Sequence, residues 1–353
     1  MLRASYRHLR LRFKETAITS RASMEVKDTY IIKVWDDTFP ARAGFGEVAL
    51  FRGLSAEDSP LFERQLAAAC VSPDRLPEIS SIRFGFETAL ADLRAKKPGV
   101  LADTPFTRGT QAITINGLIW MGTKEQMKAR IRSKLDAGFH CVKLKIGGIR
   151  FEDELQLLSA MRREFSPADL ELRVDANGAF SPAQAPERLE RLAELHLHSI
   201  EQPIKAGQPE AMAQLCATTP LPIALDEELI GFRPDAEKEA LLTTIRPQYI
   251  ILKPSLCGGF READSWIAAA ESLGIGWWAT SALESNIGLN AISQWASGHP
   301  IGDMPQGLGT GALYTSNFSS ALRLHGDRMT FDPEAKTDDI SLWFDQAPAT
   351  QIL

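Results

Sequence analysis

The sequence predicts an α/β fold: a (β/α) barrel of modified TIM-barrel type preceded by an α+β N-terminal capping domain. Three observations predict it. Strand-like and helix-like patterns are segregated in the first part of the chain, short apolar runs alternate with amphipathic stretches through the middle, and the alternation stops after Thr310. At 353 residues the chain is long for one core and has room for roughly two structural units.

From Leu2 to Trp35, Leu9, Leu11 and Phe13 alternate with basic residues and Tyr30 to Trp35 is a short apolar run, which predicts strands. Between Ser55 and Arg94 the spacing becomes helical, with Leu61, Leu66 and Ala69, then Phe86, Ala89, Leu90 and Leu93. Strands followed by helices predict an α+β unit over residues 1–111. Apolar runs then recur at Ala112–Trp120, His140–Ile146, Leu170–Val174, Ser199–Ile204, Pro222–Leu225, Tyr249–Leu252 and Gly276–Thr280. A weaker one, Asp303–Leu308, is placed by count. Their spacing is roughly 25–30 residues, the length of a strand, a helix and two loops. About eight such units close naturally as a barrel over 112–309, and no GxGxxG follows the first run to favour an open doubly wound sheet. Residues 310–353 are expected to return and pack on the capping domain.

Hydrophobic residues make up 44% and charged residues 24% of the chain, the profile of an ordinary globular protein, and the net charge is -6. No basic footprint for nucleic acid or anionic lipid is present, so a small-molecule partner is expected and nucleic acid and membrane are not. Cys70, Cys141, Cys216 and Cys257 form no CxxC pair, which excludes a zinc knuckle and a disulfide framework and fits a reducing cytoplasm. The charged N-terminus has no apolar signal segment and no run is long enough to cross a bilayer; a cytoplasmic protein is expected, of oligomeric state the sequence leaves open.

In a (β/α) barrel the reacting groups come from the C-terminal ends of several strands. Here the second run ends in Lys143-Leu144-Lys145, the third in Asp175-Ala176-Asn177, the fourth in Glu201-Gln202-Pro203, the fifth in Asp226-Glu227-Glu228 and the sixth in Lys253-Pro254. A single acid after a strand is commonly a helix cap. Capping does not account for acids on three consecutive strands with lysines on both sides. Three converging carboxylates repel unless a hard divalent cation sits among them, so Asp175, Glu201 and Asp226 are read as ligands of magnesium, or manganese in its place. Such an ion acidifies a proton α to a bound carboxylate. Lys143 and Lys145, two apart on one strand face, each disfavour charge on the other, which supports Lys145 as the base. The bland alternative, a solvated basic pair, conflicts with the apolar setting CVKLKIGG.

These residues resemble the enolase superfamily, in its muconate-lactonizing-enzyme-like subgroup. GFGEVALF, INGLIWMG, VKLKIGG, RVDANGAF, SIEQPI, ALDEEL, YIILKPSLCGG, TSALESNIGL and QGLGTGALYTSNF, in order and at barrel spacing, are similar to the o-succinylbenzoate synthase family. GFGE departs from the GWGE common in relatives. The resemblance implies a magnesium-dependent dehydratase of menaquinone biosynthesis in which Lys145 removes the α-proton and, as its conjugate acid, helps a hydroxyl leave. It further implies that Lys253 stabilises the anion from across the ring, that Lys143, Arg173, Asn177 and Glu227 orient ligands and tune charge, and that capping-domain loops carrying Arg21, Gly46 and Glu47 close over the site. Ser281 and Ser285 become candidates for the succinyl carboxylate, although Ser285 reads equally well as a helix cap. His196 and His198 form an HxH ahead of the fourth strand and are discounted as ligands.

Two alternatives stand beside this reading. An N-acylamino acid racemase or dipeptide epimerase of the same superfamily would use both lysines for two-sided proton transfer. MPQGLGTG lacks the aspartate pair with which epimerases hold a substrate amino group. The alternative from another class is a catalytically silent binding protein, against which the intact lysine and carboxylate set stands.

Overall fold

The protein was analysed as a computed structural model that describes residues 1–18, 23–347 and 350–352. Arg21 lies outside the described residues.

The capping domain starts with two long strands, β1 (Leu2–Ile18) and β2 (Ser23–Asp36), and a shorter β3 (Ala43–Val48), joined as an antiparallel meander. Alternation sets its faces: Tyr30, Ile32 and Val34 pack with Val48 and Leu50 against helices α1 (Phe62–Val71) and α2 (Ser80–Arg94). Leu9, Leu11, Phe13 and Ile31 face the other way, toward Leu283 and Tyr314 of the barrel side. β3 lies against α2 because Gly44 and Gly46 carry no Cβ; at Gly46 one would fall 2.2 Å from the Gly85 carbonyl oxygen.

The first apolar run is broken in two. Strand β4 (Ile113–Thr114) leaves the barrel to pair elsewhere, and β5 (Gly117–Ile119) begins the barrel. Parallel strands β6 (Cys141–Lys145), β7 (Glu171–Asp175), β8 (Ser199–Glu201), β9 (Ile223–Leu225), β10 (Tyr249–Leu252) and β11 (Gly276–Ala279) follow in sequence order. The eighth run forms no regular strand: two bridges, Thr280 to Gly307 and Ile115 to Gln306, carry the ladder from the seventh position back to the first. Helices α3 (Lys124–Asp136), α4 (Phe151–Glu164), α5 (Ala185–Ala193), α6 (Pro209–Thr218), α7 (Asp235–Ile245), a short α8 (Pro254–Cys257), α9 (Phe260–Ser272) and α10 (Asn286–Ser297) surround it.

Period-two alternation divides the barrel strands. Val142, Leu144, Leu172, Val174 and Ile200 face outward into one continuous core with the helices, while Lys143, Lys145, Arg173, Asp175 and Glu201 face the interior. After the barrel, β12 (Leu322–His325) and β13 (Arg328–Phe331) pair with β4, α11 (Ile340–Gln346) packs Phe344 on Phe45, and β14 (Thr350–Ile352) adds to the edge of β1. The final segment therefore touches both units.

Candidate active site

Strand register places the lysines and carboxylates. Lys145 pairs with Asp175, Asp175 with Glu201, and Glu201 with Ala224, two residues before Asp226. Ends of neighbouring parallel strands thus bring three acids into a row, all essentially buried. Lys143 Nζ bridges two of them, 3.0 Å from Asp175 Oδ2 and 2.5 Å from Glu201 Oε2. Lys145 donates to Asp175 and, at 2.9 Å, to Asn177 Oδ1; at the other end Lys253 donates to Asp226.

Burial disfavours every charge here, and the partners decide who keeps one. Burial opposes the ammonium of Lys143, but Asp175 and Glu201 outweigh it and hold its pKa above the ordinary value. Burial likewise opposes Lys253, yet Asp226 and Glu201 raise it. Asp175 is buried but sits between two ammoniums, and its carboxyl is held below the usual range. Glu201 moves the other way, because burial and the adjacent Asp175 carboxylate push it well above.

Among the described residues no three His, Cys, Asp or Glu side chains stand in metal-holding geometry, since lysine ammoniums reach between the carboxylates. The donor chemistry nevertheless fits a hard divalent cation: three carboxylates, no nitrogen or sulfur ligand, and a buried Glu201 Oε1 with no hydrogen-bond partner, Lys253 Nζ standing 3.9 Å away.

Asn177 supports the row through its backbone. At φ 45° it occupies the left-handed region that Asn tolerates; its N–H donates to Asp175 Oδ1 at 3.0 Å and its amide donates to Glu227 Oε1 at 3.0 Å. Lys145, Asp175, Asn177 and Glu227 are thereby one network. Arg173 is not part of it. Two residues before Asp175 it lies deeper in the barrel, over the Trp278 ring at 4.3 Å, with Nε on Glu171 at 2.6 Å and Nη1 on the Pro305 carbonyl at 2.9 Å. It supports the barrel floor rather than the ligands. His198 is there too, its ring 5.0 Å from that of Tyr249.

A cavity opens at the strand ends, lined by Lys143, Lys145 and Lys253, with Met24, Phe51 and Leu54 of the capping domain as its roof. Lysines are its only charged lining residues among those described. Ser281 lines it, donating to Glu284 and accepting from Thr310 at 2.9 Å. Ser285 does not: its hydroxyl accepts from Ile287 N–H as the cap of α10 and donates to Glu47, so the cap reading is the one realised. Glu47, wholly buried, also accepts from Thr29 at 2.7 Å and from the N–H groups of Ser285 and Gly288, tying the capping domain to the seventh loop. The sequence reading passed over Thr280 and Asn116, which line the cavity. Thr280 ends an apolar run and met the criterion used for the lysines; Asn116 was hidden inside a run read as one strand.

The Enolase C-terminal domain-like family model matches residues 126–331. An o-succinylbenzoate synthase from Desulfotalea psychrophila is 46% identical, covering 91% of this chain and 97% of that protein. The crystal structure of MenC from Desulfotalea psychrophila superposes with a TM-score of 0.78 and 43% identity, over 93% of this chain and 99% of that one. An N-succinylamino acid racemase from Thermus thermophilus is 35% identical over 45% of this chain and 40% of its own length.

Proposed function

The chain belongs to the enolase superfamily, and from that premise we propose that it is an o-succinylbenzoate synthase, dehydrating 2-succinyl-6-hydroxy-2,4-cyclohexadiene-1-carboxylate to 2-succinylbenzoate in menaquinone biosynthesis. The observation that carries the proposal is the placement of two lysines at opposite ends of one carboxylate row, Lys145 on Asp175 and Lys253 on Asp226, in a cavity whose charged lining is cationic. An anionic substrate fits such a cavity.

A divalent cation, magnesium or manganese, held by Asp175, Glu201 and Asp226 would polarise the substrate carboxylate and acidify the proton beside it. Lys145 takes that proton, and its ammonium returns one to the departing hydroxyl on the same face, so that water leaves and the ring becomes aromatic. Asn177 Oδ1 positions the Lys145 Nζ, which takes the proton as an amine and gives one back as an ammonium. Lys253 stabilises the negative charge that develops on the carboxylate, and the Lys143 bridge keeps Asp175 ionised and holds Glu201 in line beside it. Phe51, Leu54 and Met24 give the cavity an apolar side facing the lysines. Four free cysteines among the described residues support a reducing, cytoplasmic setting.

The test is incubation of the purified chain and Mg²⁺ with the hydroxycyclohexadiene carboxylate, followed by its absorbance, beside an N-succinyl amino acid followed by optical rotation. Dehydration is expected. Racemisation without dehydration would move the function to the isomerases, and neither reaction would restore the silent binding protein.

A further inference from the structure

The cavity has a second polar side that the chemistry above does not use. Asn116 is 4% exposed and Thr280 is 8% exposed, and both line the same space as the three lysines. Asn116 Nδ2 and Thr280 Oγ1 have no hydrogen-bond partner among the described residues. A buried donor left unpaired is costly, so two of them facing one cavity call for a ligand atom.

The barrel closure sets them on either side of one segment. Thr280 ends the seventh strand and bridges to Gly307; Asn116 follows the first strand segment, and its N–H donates to the Gln306 carbonyl at 2.9 Å. The Gln306-Gly307 segment therefore runs between them. Gly307 keeps the hydroxyl uncovered, because a Cβ there would stand 2.5 Å from Thr280 Oγ1. Both free groups are neutral and able to donate, and among the described residues no acidic side chain lines the cavity. Asn116 Nδ2 can only donate and the Thr280 hydroxyl can donate as well, so the pair suits an accepting oxygen and lacks the carboxylate that would favour an ammonium group.

We propose that Asn116 Nδ2 and Thr280 Oγ1 form a subsite for a carbonyl-type oxygen of the substrate's acyl chain, remote from the carboxylate at which the proton is lost. This rests on the dehydratase reading for the identity of the ligand. The oxygen belongs either to the ketone or to the terminal carboxylate of that chain, which share this chemistry. Selection of the acyl chain thus falls to the closing edge of the barrel, and proton transfer to its opposite side.

The test is binding of 2-succinylbenzoate, 2-butanoylbenzoate and benzoate to the Mg²⁺-supplemented enzyme and its variants by calorimetry, with diene turnover measured in parallel. Thr280→Val, which keeps the shape and removes the hydroxyl, and Asn116→Leu should each weaken 2-succinylbenzoate by roughly tenfold or more and leave benzoate unchanged. Thr280→Ser should restore wild-type affinity. A loss shared by 2-butanoylbenzoate assigns the ketone, and a loss confined to 2-succinylbenzoate assigns the terminal carboxylate. Equal binding of all three ligands by wild type and both variants overturns the subsite even where turnover is intact, as does wild-type binding of none. Variant-sensitive binding without turnover leaves the subsite standing and sinks the dehydratase reading instead.

Discussion

The two ends of the barrel interior are made by the same strands and use charge in opposite ways. On β7, Arg173 faces the floor and Asp175 faces the mouth, two residues on. At the floor the guanidinium is saturated: it stacks on Trp278, bonds Glu171 and a backbone carbonyl, and sits among Ala224, Ile251 and Met304. Among the described residues the unpaired group there is an indole donor, Trp278 Nε1. At the mouth, three carboxylates and two lysines are buried together with a third lysine at their edge, and among the described residues Glu201 Oε1, Asn116 Nδ2 and Thr280 Oγ1 remain without partners. Satisfied buried charge marks stability, while unsatisfied buried donors and acceptors mark the place where a ligand completes the network.

The largest expected effect is metal removal. A chelator titration of the purified enzyme should take dehydration to background and added Mg²⁺ or Mn²⁺ should restore it; full activity at excess chelator would deprive the mouth's carboxylates of their assigned role. Next is Lys145→Ala. It should lower turnover by roughly 10²–10⁴-fold while the melting temperature stays near wild type, and undiminished dehydration would break the assignment of the base.

A smaller and opposite effect is expected at the floor. Arg173→Met should leave turnover close to wild type and cost about 2 kcal/mol in urea unfolding, below the value for a fully buried pair because Glu171 keeps some solvent contact. A large loss of turnover with unchanged stability would erase the distinction between the two ends.

The smallest effect sharpens the comparison at the rim. Glu87 of the capping domain accepts from the Phe260 N–H at 2.5 Å, at the start of α9, beside Gly259, whose missing Cβ makes the room. Burial raises its pKa to about 7 against the opposing N–H groups of Phe260 and Arg261, with Arg83 and Asp264 the nearby charges. The folded state then holds a proton that the unfolded chain, with an ordinary carboxyl near 4.5, has lost. This group's contribution to stability therefore falls as pH rises from about 4.5 to about 7, and is constant beyond. Glu87→Gln should flatten that part of the wild-type profile by roughly 2 °C in Tm between pH 5 and 7, and parallel profiles would show that Glu87 titrates normally.

The acids and lysines at the strand ends were legible because strand alternation and barrel order are written in the chain: a polar residue closing each apolar run must reach the same rim. Period two also put Arg173 on the interior face, but not at which depth. Depth depends on the stagger of neighbouring strands, and two residues along a strand separate floor from mouth. Ser285 was undecidable for a similar reason, since a cap and a ligand contact need the same residue type at the same helix start.

By itself the sequence determined the capping domain followed by a barrel and the lysine and carboxylate row, which rest on local periodicity and spacing along the chain, and the family, which rests on the resemblance of its motifs. Tertiary structure alone decided the rest. Closure through Gln306 and Gly307 brings Asn116 and Thr280, 164 positions apart, to the two sides of one segment and leaves Nδ2 of the one and Oγ1 of the other unpaired among the described residues. Which buried donor lacks a partner follows from everything packed around it, and no stretch of sequence contains that surrounding.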